Sequence, residues 1–154
     1  MKFVALFLAL TAGAVAADPD GFGIWTNTEL QDAAKKLAAK VDRKNKVATQ
    51  SFVNYGNHLL MLAHREANGE AELHETQADI FVVESGEGSL VVGGTVVDPK
   101  TVSPHEVRGP SIKGGETKSL SPGDIVHIAA KTPHQVMVPA GKEITYFVVK
   151  VDTK

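Results

Sequence analysis

The 154-residue chain has no cysteine, one tryptophan and only 6% aromatic residues. Without cysteine there is no disulfide framework, no thiolate zinc site and no cysteine nucleophile. The chain also lacks an excess of basic charge: 16 Lys and Arg stand against 18 Asp and Glu, for a formal charge of −2. No basic patch is dense enough for a nucleic-acid footprint, and nucleic acid is set aside as a partner. Apolar residues make up 43% and charged residues 22%, which excludes disordered and collagen-like classes and suits one globular domain.

The one long hydrophobic run is at the start. Met1-Lys2 is followed by the apolar stretch Phe3 to Ala12 and by Ala14-Val15-Ala16, small residues at the −3 and −1 positions of a cleavage site. This predicts a secretory signal peptide over residues 1–17, an exported (periplasmic or secreted) protein, and no membrane association once the leader is removed.

Residues 18–47 read as an N-terminal extension with one helix. Thr26-Asn27-Thr28-Glu29 fits a capping box, and Leu30, Ala34, Leu37 and Val41 recur on one helical face, with an expected end near Asp42. Trp25, just before the helix, is expected to plug the end of the domain behind it. From residue 48 to 154 the period changes to two. Strands are expected near 49–55, 58–66, 71–75, 79–84, 89–92, 117–120, 124–129, 134–138 and 144–151, separated by turn signals such as Asn68-Gly69, Gly93-Gly94 and Pro122-Gly123. Many short strands behind one amphipathic helix predict an all-β sandwich or barrel. Residues 98–116, with Pro99, Pro104 and Pro110, read as one long connection, either a solvated loop or a lid; it holds His105, Glu106 and Arg108.

Some motifs fail. His74-Glu75-Thr76-Gln77-Ala78 lacks the second histidine of the helical zinc-protease motif, and Gly86-Glu87-Gly88 lacks the third glycine of a dinucleotide fingerprint. Two segments hold. In the first, Glu72 and His74 point to one face of a strand, Asp79 begins the next strand, and Gly86 follows. In the second, Pro122-Gly123-Asp124 opens a short strand and Pro133-His134 follows it.

These two segments resemble the two motifs of the cupins, specifically a small single-domain cupin of the double-stranded β-helix (jelly-roll) type. The first motif, H-x-H, three or four residues, Glu, six residues, Gly, corresponds to Glu72-x-His74, four residues, Asp79, six residues, Gly86. The second corresponds to Pro122-Gly123-Asp124 and Pro133-His134, with the proline next to the glycine. The resemblance covers roughly residues 58–151. It implies a divalent metal (Mn, Fe, Ni or Zn) held inside the barrel by Glu72, His74, Asp79 and His134. Glu72 stands where a histidine is usual. Asp79 stands where a longer glutamate is usual, which makes Gln77 the spare candidate. The other reading is a metal-free pocket in which Glu72 and His74 form a hydrogen-bonded pair.

Four further residues compete for the pocket wall. His64 shares a strand face with Leu60 and Leu62 and reads as a satisfied core or rim residue rather than a ligand, and His127 lies on a strand whose inner side the pattern alone does not assign. Tyr146 and Lys150 share a face of the last strand, either lining the barrel, where the pair suits an anion, or pointing outward. The functional expectation is a metal-dependent small-molecule enzyme of dioxygenase, isomerase or lyase type; the alternative is a non-catalytic module that binds a small ligand or a metal. Strands apolar on both faces, such as Ile80-Phe81-Val82-Val83, further predict a homodimer.

Overall fold

The computed structural model describes residues 18–153; the leader lies outside them. In chain order the elements are α1 (Asn27–Ala38), β1 (Val47–Asn54), β2 (His58–Arg65), β3 (Ala71–His74), β4 (Gln77–Gly86), β5 (Gly88–Val92), β6 (Thr95–Val96), β7 (Lys100–Ser103), β8 (Glu106–Gly109), β9 (Ile112–Lys113), β10 (Glu116–Leu120), β11 (Ile125–Ile128), β12 (His134–Met137) and β13 (Ile144–Asp152). All nine strands expected from the sequence are present, with ends shifted by up to two residues. The sheets are antiparallel. One has five strands in the order β1-β2-β13-β4-β11, a second has six in the order β10-β5-β12-β3-β8-β7, and β6 and β9 form a short ribbon.

The inner faces follow from the period of two. Ala63 of β2, Phe81 and Val83 of β4, Ile144, Tyr146 and Val148 of β13 meet Leu90 of β5 and Val136 of β12 in one buried cluster. This apolar packing fills one end of the space between the sheets and leaves the other end to polar side chains. Gly86 ends β4 with φ +81°, and a Cβ there would lie 2.1 Å from the Glu143 carbonyl oxygen, so the glycine at the close of the first motif is required by close approach of backbone.

The capping box forms as expected: Glu29 N–H donates to the Thr26 hydroxyl, and the Thr26 N–H donates to the Glu29 carboxylate at 2.8 Å. The helix stops at Ala38, short of Asp42, because Asp42 accepts backbone hydrogen bonds from Lys44 and Asn45 and so holds a turn instead. Leu37 and Ala33 pack with Leu62, Phe52 and Phe147 on the outer face of the five-stranded sheet. Trp25 joins this outer layer, its ring centroid 5.5 Å from that of Phe52, so it covers the sheet and does not plug the barrel end.

The long connection expected over 98–116 is overturned. It contains the β7–β8 hairpin, which pairs through β8 with β3 and extends the six-stranded sheet. Its prolines sit between the short strands, at Pro99, Pro104 and Pro110, where no ladder hydrogen bond is lost.

Candidate functional site

Strand register assembles the polar end of the barrel. On the six-stranded sheet, Glu72 is paired with Arg108 on one side and His134 on the other, and His74 is paired with Glu106. On the five-stranded sheet, Lys150 lies opposite Asp79. Because i and i+2 share a face, Tyr146 and Lys150 of β13 enter the same space as Glu72 and His74 of β3. Glu72, Tyr146 and Lys150 line, with Arg65, Arg108, Asp79 and His134, a cavity of about 200 Å³ whose remaining walls are apolar except for Thr49; His74 sits behind them.

The two imidazoles are oriented alike. His74 Nδ1 is hydrogen-bonded to Glu106, and His134 Nδ1 to the Thr132 carbonyl at 3.1 Å. Both partners are acceptors, so each Nδ1 carries the proton and each Nε2 faces inward. The inward atoms converge. Asp79 Oδ2 is 3.2 Å from His74 Nε2 and 3.5 Å from His134 Nε2, and Glu72 Oε2 is 3.6 Å from His74 Nε2. His134 Nε2 is buried with no hydrogen-bond partner among the described residues.

These separations suit a divalent cation. Donors ~2.0–2.2 Å from one ion sit about 3–3.5 Å apart at tetrahedral or octahedral angles. Glu72, His74 and His134 each place a donor within 4.8 Å of the others. The carboxylate behind His74 is also the partner that commonly orients a ligating histidine. The donor set therefore fits a borderline or hard divalent ion. Arg65 and Arg108, 3.4 and 3.2 Å from Oε1, draw on one Glu72 oxygen and leave the other free.

Lys150 adds a cation that the motif does not supply. Its Nζ donates to both Asp79 oxygens at 2.9 Å and lies 2.8 Å from His74 Nε2. The site thus contains three carboxylates, Glu72, Asp79 and Glu106, and three cations, Arg65, Arg108 and Lys150. Burial disfavours the charged form of Asp79, but the His134 and His74 rings beside it and the charge of Lys150 hold it well below the usual carboxylate range. Burial likewise opposes a charge on His74, yet the Asp79 and Glu106 carboxylates outweigh it and raise the ring to about 9. Glu106 is lowered: burial opposes its charge, and His74 and Arg108 overcome that opposition. Burial pushes the Tyr146 phenol up, and its oxygen accepts from Arg65 Nε at 2.8 Å.

The sequence-predicted residues fall into two groups. Glu72, His74, Asp79 and His134 come together, and Tyr146 and Lys150 face the cavity beside them. Gln77 does not: its amide donates to Asp152 at 2.7 Å, outside the cavity. His64 does not line the cavity, because Arg65, Ala63 and Met61 take the inner face of β2 and His64 takes the outer one. His127 is exposed on β11, since Val126 and Ile128 turn toward the core. Arg65, Glu106 and Arg108 were missed as site residues. Period two over Glu106-Val107-Arg108, within what reads as a loop, was the available signal; Arg65 shares its face only with apolar residues.

Sheet order and the convergence of both motifs between two antiparallel sheets can be compared with solved structures. The architecture is similar to KdgF from Halomonas sp. (TM-score 0.53, 15% identity, 73% of this chain and 86% of that one). It is also similar to a predicted oxalate decarboxylase from Thermotoga maritima (0.51, 12%, 69% and 80%) and a cupin-2 domain from Rhodospirillum rubrum (0.51, 19%, 71% and 64%). The chain has the cupin fold. At these identities the likeness establishes the fold and leaves the chemistry to this chain's own residues. No family model matches the sequence, and no curated protein does.

Proposed function

We propose that this cupin is a divalent-metal-dependent enzyme acting on a small molecule, with the metal held by Glu72, His74, Asp79 and His134. One observation carries the reading: two buried histidines tie their Nδ1 atoms outward and aim both Nε2 atoms at the Asp79 carboxylate, at 3.2 and 3.5 Å. When bound, a divalent ion there supplies Lewis acidity toward a substrate oxygen. The chain's own groups do the rest. Arg65 and Arg108 hold Glu72 in place, Glu106 fixes the His74 tautomer, and Lys150 Nζ presents a mobile proton at the cavity wall. The apolar walls exclude water. The cavity, about 200 Å³, is below the ~300–1,000 Å³ usual for drug-sized ligands, which favours a small substrate.

The test is metal analysis joined to calorimetry, with and without chelator. The wild type should melt higher with Mn(II), Fe(II), Ni(II) or Zn(II), by the linkage contribution of about 2.7 kcal/mol at a hundredfold excess over Kd. His134→Ala should weaken binding by at least ~10–100-fold, the loss seen even for groups behind the ligands. A melting point indifferent to metal and chelator refutes the metal. That outcome would support a second reading, a metal-free pocket for a small ligand, which the placement of the Lys150 ammonium on Asp79 and His74 favours.

The reading includes export and self-association. Support for export is the run Phe3 to Ala16; intact mass of the secreted protein should lack it, and a mass that includes it refutes export. Support for a homodimer is the outer side of β4 and β11, where Ile80 and Val82 are only half-buried and Ile125 is 73% exposed. Light scattering should give twice the chain mass, and a monomer at micromolar concentration refutes the dimer.

A further inference from the structure

A second cluster of metal-ligand side chains stands on the opposite face of the same strands. β13 pairs with β2 so that Thr145 is opposite His64 and Ile144 opposite Arg65. The next pair outward in that register is Glu143 with Glu66. Since i and i+2 share a face, His64 and Glu66 from one strand and Thr145 and Glu143 from the other form a square on the outer side of the sheet. Two carboxylates placed directly across from each other repel unless a cation lies between them.

The imidazole in this square is buried and lacks a partner. His64 is 2% exposed, and its Nδ1 is hydrogen-bonded to the Thr145 hydroxyl at 2.8 Å. Its Nε2 has no hydrogen-bond partner among the described residues and lies 3.8 Å from Glu143 Oε2. An orphaned ring nitrogen this deep costs free energy unless something occupies it. His64, Glu66 and Glu143 each offer a donor within 4.8 Å of the others. The local lysines do not complete the site. Lys142 is paired with Glu87, and Lys46 Nζ reaches Glu66 only at 3.8 Å. The carboxylates open onto a surface depression, so an ion can enter from solvent.

We propose that His64, Glu66 and Glu143 form a second divalent-metal site on the outer face of the five-stranded sheet. One imidazole and two carboxylates suit Zn(II), Co(II) or Mn(II), and the imidazole disfavours Ca(II) and Mg(II), which prefer oxygen. An ion there ties the end of β2 to the start of β13 and cancels the repulsion between Glu66 and Glu143. The site shares no ligand with the one inside the barrel, so it stands whether or not that reading holds.

Equilibrium dialysis of the full chain against Zn(II) tests it, using wild type, Glu143→Gln, and the barrel variant His74→Ala/His134→Ala. The expected result is two ions per chain in the wild type, one in Glu143→Gln and one in the barrel variant. His64→Gln should lose the same ion as Glu143→Gln. A wild type that binds one ion, kept in the barrel variant and lost in Glu143→Gln, upholds this site and refutes the barrel metal. Equal binding by wild type and Glu143→Gln overturns the proposal, as does a wild type that binds no ion. In the barrel variant, histidine ring signals should report Zn(II) arriving at His64, and no shift of that ring refutes its role as ligand.

Discussion

Lys150 Nζ lies 2.8 Å from His74 Nε2. The contact is a hydrogen bond when the ammonium donates to a neutral ring, and a like-charge repulsion that opposes the rise of His74 once the ring is protonated. Lys150 also donates to Asp79 at 2.9 Å. A divalent ion on the same donors takes the place of the ammonium. Lys150 and a metal are therefore alternative counter-ions for Asp79.

Lys150→Met should separate the two. The Lys150 side chain is 17% exposed and Asp79 is 2% exposed, so removing the ammonium leaves a buried carboxylate unpaired. In chelator the variant should lose about 3 kcal/mol of stability, toward the lower end for a broken buried pair. Added metal should bind ~10-fold more tightly than to wild type, equivalent to ~1.4 kcal/mol, and should restore the melting point. Calorimetric titration measures both effects. A variant that metal fails to rescue would show that Lys150 does not compete with an ion.

The chelated protein should have a stability plateau set by two groups of the site. His74 is raised from 6.5 to about 9 in the folded chain. Its contribution is fully present below pH 6.5 and is lost as pH rises through about 9. Asp79 is lowered from 3.8, so its contribution is present above pH 3.8 and is lost as pH falls below that. Urea midpoints across pH should therefore be highest between 3.8 and 6.5 and decline on the alkaline side. His74→Gln should flatten the alkaline decline. Equal wild-type midpoints at pH 6.5 and above pH 9 would show that the ring carries no charge.

Leu37→Ala should separate the scaffold from the site. Leu37 is 4% exposed against Leu62, Phe52 and Phe147, on the outer side of the sheet. Truncation should cost ~2–5 kcal/mol as a cavity opens under α1. Metal affinity of the barrel site should stay unchanged, because Glu72, His74, Asp79 and His134 lie on the other side of the five-stranded sheet from α1. Coupled loss of affinity would mean that the outer layer controls strand register at the site.

Local features legible in the sequence are those that depend on neighbours along the chain. The Thr26–Glu29 cap and the nine strands with period two follow from side-chain spacing and backbone sterics, whereas Glu72, His74, Asp79, His134 and Gly86 stand out through their resemblance to the two cupin motifs. What spacing does not encode is which strands lie opposite one another. Only the tertiary register sets Lys150 against Asp79, Glu106 behind His74 and Arg108 beside Glu72, and it draws the 98–116 segment into the sheet. For the same reason His127 could not be assigned to a face, while His64, placed with Leu60 and Leu62 as a core or rim residue, is buried on the outer side of the sheet: alternation gives two sides to a strand, and only packing decides which one lines the barrel.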